Sequence, residues 1–141
     1  MKHRRRGNAV IEFALTFGLL WALLGGCFKL GYSIYLYQSL LNAVAGAARY
    51  AARVDFDEPN HTFVTAVRNM AVYGDPAGGT SPLTAGLAPA NISVTWSYDA
   101  KGVPSTITVS VIGYSVNAVF QTLTWTGKPA VTVRYAGTYK S

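Results

Sequence analysis

The chain has one cysteine in 141 residues, Cys27, so no disulfide can form within it. Cys27 lies in an apolar run, where a lone thiol acts as a small packed side chain. An acylated cysteine at a signal-peptide boundary is the alternative, but the apolar stretch continues past Phe28. Histidine is almost as scarce: His3 near the start and His61 beside a proline turn. Serine and threonine are plentiful, yet no nucleophile–base pair has a recognisable context. There is no glycine-rich phosphate loop and no zinc spacing. Asp55, Asp57 and Glu58 cluster, but they lack the loop spacing and glycine of a calcium site and read as the acidic start of a helix. No catalytic, cofactor-binding or metal-ligating residue is expected, and the chain does not read as an enzyme.

Negative charge is also scarce, with six Asp and Glu against twelve Lys and Arg. A net charge of +6 could suggest a nucleic-acid partner, but Lys2, Arg4, Arg5 and Arg6 supply four of those charges within seven residues. No basic stripe interleaves with aromatics elsewhere, so the cluster reads as a topogenic leader and no nucleic acid is expected.

What the sequence has in quantity is apolar residues, which make up 50% of it. From Phe13 to Phe28 there is no charge at all. With Ala9–Ile11 and Leu30–Leu36 the stretch reaches the ~20 residues that a membrane span needs. Two charges fall inside that count. Lys29 lies near one end and can snorkel to headgroups. Glu12 is harder, because an unpaired carboxylate in hydrocarbon costs ~2.5 kcal/mol or more, so it sits at the interface or has a partner. The basic leader stays on the cytoplasmic side and the C-terminal part goes outward. No small-x-small cut site follows a short apolar core, so an ordinary signal peptidase site is excluded.

Gly7 ends the leader, and Glu12 is the fifth residue after it. The run Arg6-Gly7-Asn8-Ala9-Val10-Ile11-Glu12-Phe13 resembles a class III signal sequence, the substrate of a prepilin peptidase. The resemblance implies cleavage between Gly7 and Asn8. Glu12 would then neutralise the new α-amine of a neighbouring subunit and set the register of assembly.

A wider resemblance rests on Gly7–Leu15, on Leu30-Gly-Tyr-Ser-Ile-Tyr35 and on Gln38–Ala52. It extends to Val67–Gly78 and Val133–Gly137. These segments are similar to the TadE-like family, pilin-like proteins of the tight-adherence (Flp pilus) machinery. Tyrosine is common beside the leading Glu in the major pilin of such systems; Phe13 stands there here. The family implies a minor pilin or pseudopilin acting in pilus assembly and adhesion. Its implied partners are other pilin-like subunits, inner-membrane assembly proteins, prepilin peptidase and membrane lipid. The implied location is the inner membrane, single-pass with an extracytoplasmic C-terminal domain, or a pilus outside the cell. The alternative is an uncleaved single-pass anchor whose outer sheet binds a ligand.

Ala14, Gly18, Ala22 and Gly26 recur at spacing four and form one small-residue stripe, which lets helix backbones approach closely in a membrane. With Glu12 and Phe13 they are the expected subunit contacts. Tyr32, Tyr35 and Tyr37 suit an outer aromatic belt. Leu40, Leu41, Val44, Ala47, Ala48 and Ala51 continue the helical period, with Ala43, Ala47 and Ala51 as a second small stripe. Arg49 and Arg53 fall one turn apart on a solvated or partner-facing side. A helix from Ala9 to Arg53 would be ~67 Å long, more than a bilayer, so its outer part must pack on something.

Beyond it, Asp55–Pro59 interrupts the helix. Phe63, Val64, Val67, Met70 and Ala71 form one face of a short helix that Gly74 stops, and a loop runs to Pro89. The period then changes to two. Ile92–Tyr98, Thr106–Val111 and Val131–Tyr135 alternate as strands, with a turn at 99–102 and a less regular stretch at 114–127. The expected fold is pilin-like α+β: a long N-terminal transmembrane helix, a short second helix, and an antiparallel sheet of about three strands. The expected divisions are a leader at 1–7, a helix at 8–53 and an outer domain at 54–141. Within the helix, the span covers about 9–30 and the outer extension 31–53. Asn60-His-Thr62 and Asn91-Ile-Ser93 match a glycosylation sequon, a weak pattern.

Overall fold

The computed structural model describes residues 4–57, 62–118 and 121–140. Glu58, Asn60, His61, Val119 and Phe120 lie outside them, as do Lys2 and His3. Two compact units emerge, residues 1–34 and 35–141.

The first long element is α1, Arg4–Ala51. No proline occurs before Pro59, so nothing interrupts the hydrogen-bond ladder. From Arg4, the first described residue, the helix takes in Gly7 and the described part of the basic leader. Two of its hydroxyls are satisfied locally: Thr16 Oγ1 donates to the Glu12 carbonyl at 2.8 Å and Ser33 Oγ to that of Lys29 at 2.7 Å. Such back-bonding lets Thr and Ser sit in an apolar helix without an unmet donor.

The unit at 35–141 holds the hydrophobic core. Leu40, Val44, Ala47, Ala48 and Ala51 from α1 are buried there. The second small-residue stripe, Ala43, Ala47 and Ala51, therefore packs on the chain's own domain. Next comes β1, Phe56–Asp57, and then α2, Thr62–Tyr73. The first described turn of α2 carries no acid, and Glu58 of the expected acidic helix start lies outside the described residues. The Phe56 ring is buried and packs against Phe63 and Trp96, which draws Phe56–Asp57 into the core as a short strand. Asp57 instead accepts a hydrogen bond from Thr62 Oγ1 at 3.2 Å.

The predicted face of α2 is the buried one. Phe63, Val67 and Ala71 are inside with Val72, while Val64 and Met70 pack at the margin. Gly74 ends the helix at φ +75°, its N–H donating to the Met70 carbonyl at 3.0 Å.

Three strands form the main sheet: β2 (Ile92–Tyr98), β3 (Pro104–Val111) and β6 (Ala130–Arg134), antiparallel in the order β2-β3-β6. Ile92, Val94, Ile107, Val109 and Val111 face the core. The β2–β3 turn is held by Asp99, whose Oδ1 accepts from the backbone N–H of Lys101 and of Val103. The stretch expected to be irregular is a separate hairpin, β4 (Tyr114–Ala118) with β5 (Gln121–Trp125). It is inserted between β3 and β6, so the sheet is not a simple meander. A final strand, β7 (Tyr139–Lys140), pairs in parallel with β1.

Tyr135 follows β6 and ties the C-terminal segment to the end of α1. Its hydroxyl donates towards the carbonyls of Val54 (3.0 Å) and Thr138 (2.8 Å) and accepts from the Phe56 N–H (2.9 Å). Burial raises its pKa above the ordinary value of 10.0; the Phe56 N–H works against this and nearby Asp55 adds to it. Gly137 is required beside it, since a Cβ there would lie 2.6 Å from the Val54 carbonyl oxygen.

Candidate assembly surface

The residues expected to carry assembly all lie on α1 before Ile34. Gly7 is within the helix. Asn8, Glu12, Phe13, Ala14, Gly18, Ala22 and Gly26 are exposed. The best spanning candidate lies in Asn8–Ala51, and none of its most apolar window is buried. It is the one helix among the described residues long and apolar enough to cross a membrane.

The stripe at Ala14, Gly18, Ala22 and Gly26 faces open space. A Cβ added to Gly18 or to Gly26 would meet no atom within 4 Å. The row beside it, one residue back, carries an aromatic ladder. Phe13 stacks on Phe17 with ring centroids 6.0 Å apart, and Phe17 on Trp21 at 6.3 Å. Phe28 and Tyr32 stack in the same way at 6.3 Å. Sequence reading did not single out this ladder, although its spacing of four was there to find. Ridge and groove thus run side by side on one exposed helix, the relief from which helix–helix packing is built.

Glu12 is the only acid in this stretch. Among the described residues no side chain pairs with its carboxylate. Lys29, at the other end of the span, is half-buried. Cys27 is a free, exposed thiol. Among the described residues no three His, Cys, Asp or Glu side chains gather closely enough to hold a metal ion.

A model of the TadE-like protein family matches residues 7–49. The match starts at Gly7 and ends at Arg49, within α1, and covers under a third of the chain. Val67–Gly78 and Val133–Gly137, which also carried the resemblance, lie outside it. The match associates the chain with the tight-adherence (Flp) pilus system. No curated protein and no solved structure matches the chain.

Proposed function

We propose that this chain, TadE-like over residues 7–49, is a minor pilin or pseudopilin of a Flp-type pilus or a related secretion machinery, structural rather than catalytic. It would act in assembly and adhesion. The observation that carries the reading is Glu12: an acid without a described partner, five residues past Gly7, on the exposed apolar part of α1. A carboxylate in hydrocarbon needs a counter-charge. Cleavage after Gly7 would create one, the α-amine of Asn8 on a neighbouring subunit. The small stripe would let the two helices approach closely, and the aromatic ladder would fill the space beside it.

In this reading prepilin peptidase removes residues 1–7, and the basic leader keeps that end cytoplasmic until it does. The span is held in the inner membrane with residues 35–141 outside, until other pilin-like subunits and inner-membrane assembly proteins draw it into a filament. Because α1 includes Gly7 and Asn8, the peptidase must open the helix there. Glycine is the poorest helix former after proline, so Gly7 is where opening costs least. The same helical start favours the competing reading, an uncleaved anchor carrying an outer binding module. Two measurements decide between them. The mass of the membrane form should correspond to a chain beginning at Asn8 in cells with an active prepilin peptidase, and a chain retaining Met1 or starting before Asn8 would contradict cleavage. Glu12→Ala should insert normally and fail to assemble; normal assembly would favour the anchor.

A further inference from the structure

Outside the leader the positive charge is unevenly placed. Lys29 offsets Glu12, and the five Lys and Arg after Val54 match five Asp and Glu there. The two charges left over are Arg49 and Arg53. Both are exposed, and among the described residues neither guanidinium has a hydrogen bond or an ion pair. They line an open groove of about 440 Å³ with Gly46, Tyr50, Val54 and Met70. The lining is largely apolar, since Tyr50, Val54 and Met70 pack at the margin of the core. A cation in the last turn of a helix is favourable against its free carbonyls. That accounts for Arg49, but not for a second arginine or for the apolar groove beside both.

The same domain presents matching chemistry. Leu83 is 60% exposed, more than any other described large aliphatic side chain after Ile34. It is held in place rather than loose: its N–H donates to the Val72 carbonyl at 2.7 Å, and its side chain lies 3.5 Å from where a Gly74 Cβ would stand. The next residue, Asp75, is exposed. One of its carboxylate oxygens accepts from the Ala77 N–H at 2.8 Å, and the other has no partner among the described residues. An apolar knob and a carboxylate therefore stand together at the end of α2. Met70, in the groove, is one helical turn from Gly74, beside the knob. One wall of the groove, Met70, and the seat of the knob, Gly74, thus follow each other along α2, and a patch that carries both halves of a complementary pair is what a two-fold contact needs.

We propose that this patch docks a second copy of the chain. Leu83 of each copy enters the groove of the other, and Asp75 of each meets Arg49 and Arg53 of the other. The contact lies wholly within residues 35–141. It goes beyond the assembly reading and does not depend on leader cleavage or on Glu12.

Disulfide trapping between two differently tagged full-length preparations in detergent tests this, with Cys27→Ala in both. One copy carries Gly46→Cys, where a side chain meets open space, and the other Ser81→Cys, exposed and two residues from the knob. Oxidation should link the two tags. Arg49→Glu with Arg53→Glu in the first copy should cut the yield roughly tenfold, as removing paired interface charges does. Asp75→Arg in the second copy should then restore it. Leu83→Asp should also lower the yield, while thermal unfolding of each variant stays unchanged. Absence of the mixed disulfide, or a yield indifferent to charge reversal and to Leu83→Asp, would overturn the proposal.

Discussion

The two parts of α1 carry the same small-residue spacing and opposite burial. Ala43, Ala47 and Ala51 are buried in the core of residues 35–141. Ala14, Gly18, Ala22 and Gly26 repeat the pattern on an exposed surface. Small residues every fourth position mean that something comes close to the helix backbone. In the outer part these alanines are buried with the core that α2 and the sheet also line. In the inner part the described chain supplies nothing, and a neighbouring subunit is the proposed occupant. On that proposal one sequence pattern serves two roles, docking a domain and docking another subunit.

The largest expected effect lies on the outer side. Phe56→Ala removes a buried ring that touches Phe63, Trp96 and Tyr135, and should cost about 3–5 kcal/mol of stability in chemical unfolding. Ala47→Leu forces a larger side chain into a filled core, and a loss of about 1–3 kcal/mol is expected by the same measurement. Gly18→Leu adds the same kind of bulk at the same spacing and should leave unfolding of residues 35–141 unchanged. A Gly18→Leu variant that melts early would break the comparison.

Smaller effects sharpen it. Tyr135→Phe deletes the hydroxyl that links Val54, Phe56 and Thr138, for a loss of about 1 kcal/mol. Because burial raises the Tyr135 pKa, folding favours the neutral phenol. Its contribution is fully present below the unfolded value of 10.0 and is lost as pH rises through the higher folded value. Urea titrations between neutral pH and pH 11 should show wild type losing its advantage over Tyr135→Phe above pH 10. A constant gap across that range would contradict the burial of the hydroxyl.

Much of this was legible in the sequence because the signals were periodic. The apolar run through Phe13–Phe28, the α2 face at Phe63, Val67 and Ala71, and the alternation at Ile92–Tyr98 each repeat often enough to define an element. The elements that escaped are short or non-local. Phe56–Asp57 is a strand only because Tyr139–Lys140 lies beside it, and two residues carry no period. The acids around Phe56 drew attention, whereas the buried aromatic is what places Phe56–Asp57 as a strand. The β4–β5 hairpin was hidden because Tyr114–Trp125 mixes polar and apolar residues without clean alternation; its pairing of Val116 with Leu123 appears only in the fold. For the assembly surface, sequence reading found the stripe and Glu12. It missed the aromatic ladder because rings in a membrane helix look like general hydrophobicity until their spacing of four is counted.

The most direct test is association of the full chain in membranes, read by energy transfer between labelled copies, for wild type, Gly18→Leu and Ala47→Leu. Gly18→Leu should abolish transfer contributed by the span while the outer domain keeps its unfolding transition. Ala47→Leu should weaken that transition and spare the span's transfer. Unchanged transfer in Gly18→Leu would contradict the claim that the inner part of α1 is an assembly surface.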